Sequence, residues 1–148
     1  RTKRGRTVAV IDKRATWDKI KASILRMPTV DVGVLDPDVA IYAAVHEYGS
    51  SDGHTPARRW LTRGIEDNGM AVQAAMAATA TAILDQRVTK AKAVDNLGAD
   101  VADIVRAHVN SANFPPPLKT ETVRRKGHAK AMVDSGKMMN AITHRVNK

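Results

Sequence analysis

His46-Glu47 has the opening of a helical zinc-hydrolase motif. That motif needs a second histidine one helical turn on, so that two imidazoles on one face share a metal. Ser50 stands there instead, which removes the ligand. His54 is near in sequence, but it sits in a Gly- and Ser-containing stretch with no carboxylate partner at helical spacing. Asp36 and Asp38 are accounted for by turn formation and helix capping, and nothing sets either against Glu47 as an acid–base pair. Ser135-Gly136 lacks the elbow pattern of a hydrolase nucleophile. Gly49 and Gly53 are the only glycines between positions 34 and 63, which leaves no phosphate-cradling loop and no dinucleotide fingerprint. With no cysteine there is no disulfide, thiol nucleophile or Cys-ligated metal, and a reducing cytoplasm is the default address. The expectation is a protein that is not an enzyme, with no catalytic residues, no cofactor and no metal.

Charge is the stronger signal. Lys and Arg number 24 against 15 Asp and Glu, a formal net charge of +9. Such an excess speaks about partners rather than fold. Arg1, Lys3, Arg4 and Arg6 load the first six residues. A second cluster runs from Lys119 to Lys137 and includes Arg124, Arg125 and Lys126, against only Glu121 and Asp134. These two clusters are candidate contacts for DNA or for an acidic partner; as solvated tail and loop they would contact nothing. Base readout is disfavoured, because Phe114 is the only aromatic after Trp60 and single-strand binders stack bases on aromatics. Contact with the phosphate backbone alone stays open.

The elements that must carry these residues follow from local pattern. Residues 1–7 read as a polar arm, and 8–11 as a short strand or the lead-in to a helix. Thr16 is placed to cap a helix over 17–27, with Trp17, Ile20, Ile24 and Met27 on one stripe and Pro28 as its stop. Residues 29–34 alternate with period two, which puts Val30, Val32 and Val34 on one face of a strand. Asp36-Pro37-Asp38 starts a short helix over 39–48 that ends at Gly49. Residues 50–56 form an exposed loop. Asp67 is a candidate cap for an alanine-rich helix over 68–87, weakened by Gly69. The clearest amphipathic pattern is a helix over 91–112, with Val94, Leu97, Val101, Ile104, Val105 and His108 at steps of three and four. Pro115-Pro116-Pro117 enforces an extended connector. A short helix within 118–126, a turn of helix capped by Asp134 or Ser135, and a closing strand over 142–146 complete the chain. The fold class expected is α+β: a small antiparallel sheet packed with several helices, two of them long and alanine-rich, in a single domain over 1–148.

That domain has a thin core of its own. Alanine supplies 23 residues, while Leu, Ile, Val and Phe together supply 31 and aromatics only five. Alanine brings elements close but buries little area, and the hydrophobic gain follows area. Cover from neighbouring subunits is therefore expected. So is ordering of the 1–7 arm and the 50–56 loop against neighbours, since both are polar and short of apolar anchors. No apolar run approaches the ~20 residues of a membrane span, and the basic N-terminus carries no apolar signal region.

Two segments carry a resemblance. Ala43-Ala44-Val45-His46-Glu47-Tyr48-Gly49-Ser50, followed by Thr55-Pro56-Ala57-Arg58-Arg59-Trp60-Leu61, resembles a pattern of tailed-phage morphogenesis proteins. That pattern is an alanine-rich helix, an acidic–aromatic–Gly turn, a polar loop, then Pro-Ala-Arg-aromatic-Leu. Pro117-Leu118-Lys119 and Met132-Val133-Asp134-Ser135-Gly136-Lys137-Met138-Met139-Asn140-Ala141-Ile142 look like its second half, where members read Pro-Leu, then Asp-Thr-Gly, two spacers and a Ser-Ile strand start. The resemblance is to the tail-completion and head–tail joining proteins of siphophages and the virion-morphogenesis proteins of Mu-like phages. Arg59, Ser135 and Ala141 depart from the pattern.

What it implies is a virion structural protein of the phage neck, formed in the host cytoplasm. It would complete the tail or connector so that head and tail join. Residues 8–148 would be one tail-completion-like domain behind the basic arm. The implied assembly is a homo-oligomeric ring, expected to be hexameric, between the head–tail connector and the tail terminator or tail tube proteins, with non-specific contact to lumen DNA and none to membrane. Tyr48, Arg58 and Arg59 are the candidate interface residues, since Arg and aromatics most often anchor interfaces. Trp60 is expected in the core. The alternative is a small basic protein that contacts the phosphate backbone of DNA.

Overall fold

The computed structural model describes residues 14, 17, 18, 21, 22, 26–132 and 136–147. The 1–7 arm with Arg1, Lys3, Arg4 and Arg6, the 8–11 segment and the Thr16 cap lie outside them. Arg14, Trp17, Asp18, Lys21 and Ala22 are helical and exposed.

Strand β1 (Thr29–Val34) pairs antiparallel with β2 (Ile142–Asn147), Thr29 opposite Asn147 and Val34 opposite Ile142. This register puts Val30, Val32 and Val34 on one face with Val146, His144 and Ile142, as the period-two reading expects. Asp31 and Arg145 face each other on the other side, with an Nη2–Oδ2 distance of 3.0 Å. The Asn147 side chain and then Arg145 hold the Asp31 carboxyl below its ordinary pKa.

Six helices complete the fold among the described residues: α1 (Pro37–Tyr48), α2 (Trp60–Glu66), α3 (Gly69–Leu84), α4 (Lys90–Ser111), α5 (Thr120–Lys126) and α6 (Lys137–Asn140). The class is α+β, as expected, with both long alanine-rich helices present. Helix α4 is the hub. Its stripe of Ala93, Val94, Gly98, Val101, Ala102, Val105 and Val109 is buried, with the sheet, α2 and α3 packed around it. The sheet comes close only because position 98 is glycine: a Cβ there would lie 2.5 Å from His144 Cδ2 and from Val30 Cγ2. The core joins Ala43, Trp60, Val105, Phe114, Met132 and Ile142. Trp60 is 2% exposed and its Nε1 donates to the Ala43 carbonyl at 2.9 Å.

Helix ends differ from expectation where side chains have other work. Asn68, not Asp67, occupies the cap position of α3, and it caps nothing. Its amide donates back to the Gly64 carbonyl at 2.8 Å and lies 3.2 Å from His108 Nδ1. Helix α3 stops at Leu84, three residues short of Arg87, because Gln86 turns left-handed at φ 56°. Thr89 caps α4, its hydroxyl accepting from Lys92 N at 3.3 Å. Asp134 and Ser135 lie outside the described residues, and Gly136 stands at the cap of α6 with φ 74°. No described helix is long and apolar enough to cross a membrane.

Candidate functional site

The site begins at the end of α1. Asp36 caps its start, accepting from Asp38 N at 3.0 Å, and Gly49 ends it at φ 88°. A side chain at Gly49 would crowd the backbone returning past it, with Ala57 N at 3.2 Å and Thr55 O at 3.3 Å. The intervening loop is polar but held by its own bonds. Ser50 N donates to the Thr55 carbonyl and Thr55 N to Ser50 Oγ, both at 2.8 Å. Asp52 accepts from Ser50 Oγ at 2.5 Å and from His54 N at 3.0 Å, and the Ser50 bond is the main reason its carboxyl pKa is lowered. This loop has more internal support than a stretch that orders only against neighbours.

Beyond Pro56 the chain runs back along α1, with Arg58 N donating to His46 O at 2.8 Å and Arg59 N to Glu47 O at 3.3 Å. Glu47 then does for α2 what no residue of α2 does. It is 6% exposed, and its carboxylate accepts from Leu61 N at 2.8 Å, from Thr62 N at 3.3 Å and from the Thr62 hydroxyl. These are orphan donors of a first helical turn whose own cap residue, Arg59, sits left-handed at φ 48° without a capping bond.

The corner therefore sorts its residues differently from the interface expectation. Trp60 goes to the core. Arg59 is exposed, 3.6 Å from Glu66. Arg58 does not project toward a neighbour: it is 5% exposed, folded inward because its backbone is bonded to α1. Its Nη1 reaches the Pro56 carbonyl at 3.4 Å, and its buried Nε has no partner. Burial lowers the guanidinium pKa, although an arginine keeps its charge at any physiological pH. Tyr48 does not bury its ring. On α1 it is Val39, Ala43 and Glu47 that turn inward, which rotates Tyr48 out to 82% exposure.

Arg58 lies in an open groove of about 1040 Å³. One wall is a face of α1, where Val39, Tyr42 and His46 recur at steps of three and four. The opposite wall is α5 and the segment entering it, with Lys119, Thr122, Arg125 and Lys126. Lys137 at the start of α6 and His54 in the loop close the rim. Pro116, Pro117, Leu118 and Met132 supply apolar lining. Among the described residues, five Lys or Arg and two His line the groove, and no Asp or Glu does. His46 Nδ1 is buried without a partner, and its pKa is lowered, first by burial and then by the charges of Arg58 and Lys126.

Of the second basic cluster, Arg125 and Lys126 thus face the groove, while Arg124 is exposed outside it. Lys119 and Lys137, the ends of that cluster, and His54 from the loop join them. Among the described residues no three His, Asp or Glu are placed to hold a metal ion. Among the described residues, what the groove brings together is a set of cationic side chains over an apolar lining. No protein-family model, no curated protein and no solved structure matches this chain, so the groove is read from its own geometry.

Proposed function

We propose that this chain is a structural, non-enzymatic protein of the tailed-phage virion, part of a homo-oligomeric ring at the head–tail junction that completes the tail or connector. The phage assignment rests on the two-segment resemblance, and the fold adds that both segments contribute to one core and one groove. Ala43 and Trp60 from the first pack in the same cluster as Met132 and Ile142 from the second.

The observation that carries the assembly is α3. It is sixteen residues long, has no charged side chain, and none of its residues is buried. Val72, Ala75, Thr79 and Ala82 rest half-buried on the inner side, while Met70, Ala74, Ala77, Thr81 and Leu84 form an exposed outer stripe. The outer spacing of four, three, four, three is that of a helix–helix seam, and the small residues at its middle let a second helix approach closely. Met70 is 88% exposed. A monomer leaves this stripe in water; a neighbouring copy in a ring covers it.

Light scattering across a concentration series tests the assembly. The expected result is a discrete oligomer that Ala74→Glu with Ala77→Glu converts to a folded monomer. A monomer at every concentration overturns it. Loss of the protein from an infection should leave free heads and free tails; joined particles without it would remove the junction role. The groove itself favours a second reading, a small basic protein gripping phosphate backbone. Monomer binding to duplex DNA that weakens steeply with salt would favour that one.

A further inference from the structure

We infer that the groove between α1 and α5 is a docking site for an extended acidic peptide segment of a partner protein, with Arg58 at its floor as the carboxylate anchor. The inference goes beyond the ring proposed above and does not need α3 to pair.

Three observations point to this occupant. The first is charge complementarity. Arg58, Lys119 and Arg125 converge with His46 and His54 on one groove, and among the described residues no Asp or Glu lines it. Of the described acids, Glu47 caps α2, Asp52 closes its loop and Asp31 pairs with Arg145. The second is the depth of Arg58. It is nine-tenths buried, and the Nε of its fork lacks a partner. A guanidinium is a planar fork matched to a carboxylate, and bidentate pairing gains strength away from water. A slim carboxylate on a side chain or chain end reaches such a floor; a phosphate on a rigid duplex rides over the rim. The third is the lining between the cations. Val39, Pro116, Pro117, Leu118 and Met132 give room for apolar side chains spaced along an extended strand. Tyr42 is the one Phe, Tyr or Trp in the groove, so there is no stacking platform of the kind that single-stranded nucleic acid uses. Arg clusters beside apolar pockets are a recurring mode of acidic-motif recognition.

Fluorescence anisotropy on the full chain tests this. The probe is a fluorescein-labelled ten-residue peptide of alternating Glu and Leu, at 50 and 150 mM salt. It should bind saturably, and the peptide with Gln for every Glu should bind at least tenfold more weakly. Arg58→Gln should lose at least tenfold, and Arg58→Lys should recover only part, because it keeps the charge and loses the fork. Arg124→Gln, of equal charge change but outside the groove, should change affinity less than twofold. If Arg58→Gln does not fold, exposed Arg125→Gln carries the comparison, with an expected three- to fivefold loss. Equal losses at positions 58 or 125 and 124 would overturn the inference. So would equal binding of the Gln peptide. A 20-base-pair duplex that displaces the peptide tenfold better than unlabelled peptide does would also overturn it, and would make the groove a phosphate-backbone site.

Discussion

Glu47→Ala should be among the most damaging single substitutions in this chain, although Glu47 touches no ligand and belongs to no catalytic set. Its carboxylate takes two backbone N–H groups and one hydroxyl at the start of α2, and it is nearly out of water. Losing a helix N-cap costs about 0.5–2 kcal/mol. Hydrogen bonds to a charged group contribute about 1.5–3 kcal/mol, and donors left buried without a partner carry their own desolvation penalty. These ranges overlap because they describe the same bonds, so the expected loss is about 3 kcal/mol rather than their sum. With a urea m-value of about 1–3 kcal/mol per molar, the midpoint should fall by roughly 1–3 M. Glu47→Gln keeps an acceptor but turns an amide N–H toward a backbone N–H, so it should fall between, at about 1–2 kcal/mol. Urea melts followed by circular dichroism measure both. A Glu47→Ala protein within 0.5 kcal/mol of the parent would refute the claim that this carboxylate holds α2, and with it the account of how Arg58 and Trp60 are oriented.

Gly98→Ala sets helix propensity against space: alanine gains about 1 kcal/mol in a helix, while a Cβ 2.5 Å from both His144 and Val30 forces the sheet off α4 at about 1–3 kcal/mol of overpacking. A clash this close belongs at the top of that range, so the net loss should reach about 2 kcal/mol, read as a melting temperature several degrees lower; an unchanged or raised melting temperature would show that sheet and helix are not in close contact. His46 makes stability depend on pH. Its folded pKa lies below the ordinary 6.5, so the unfolded chain takes up the proton first. Stability is then full above pH 6.5 and is lost as pH falls from there toward the folded pKa. Arg58 and Lys126 face His46 across the groove, and His54, Lys119, Arg125 and Lys137 share the lining. Urea midpoints at pH 7.5 and 5.5 should therefore differ less in His46→Gln than in the parent, and an equal difference would assign the dependence to another group.

What could be read along the chain was whatever local period decides. Alternation in 29–34 and the three–four spacing of 91–112 reflect which face of one element meets the core, and each needs no knowledge of its partner. Glycine at 49 and at 127 ends a helix by its own left-handed backbone, again a local matter. Glu47 and Arg58 are of another kind. Glu47 finds its partners only in α2, and both residues are placed by a backbone pairing between residues 46–47 and 58–59 that only the closed loop brings about. Arg58 in particular has a surface residue's composition and a core residue's exposure. The same pairing swings Arg59 out and Trp60 in, so three consecutive residues meet three environments, and no one-dimensional pattern separates them. The groove extends this logic. Its cations come from positions 46–58 and 119–137, two stretches that carry the halves of the phage-like pattern and that meet only across α1. A basic cluster read alone implies a solvated face. The structure sets part of the same cluster opposite a buried arginine, a juxtaposition that no stretch of sequence shows by itself.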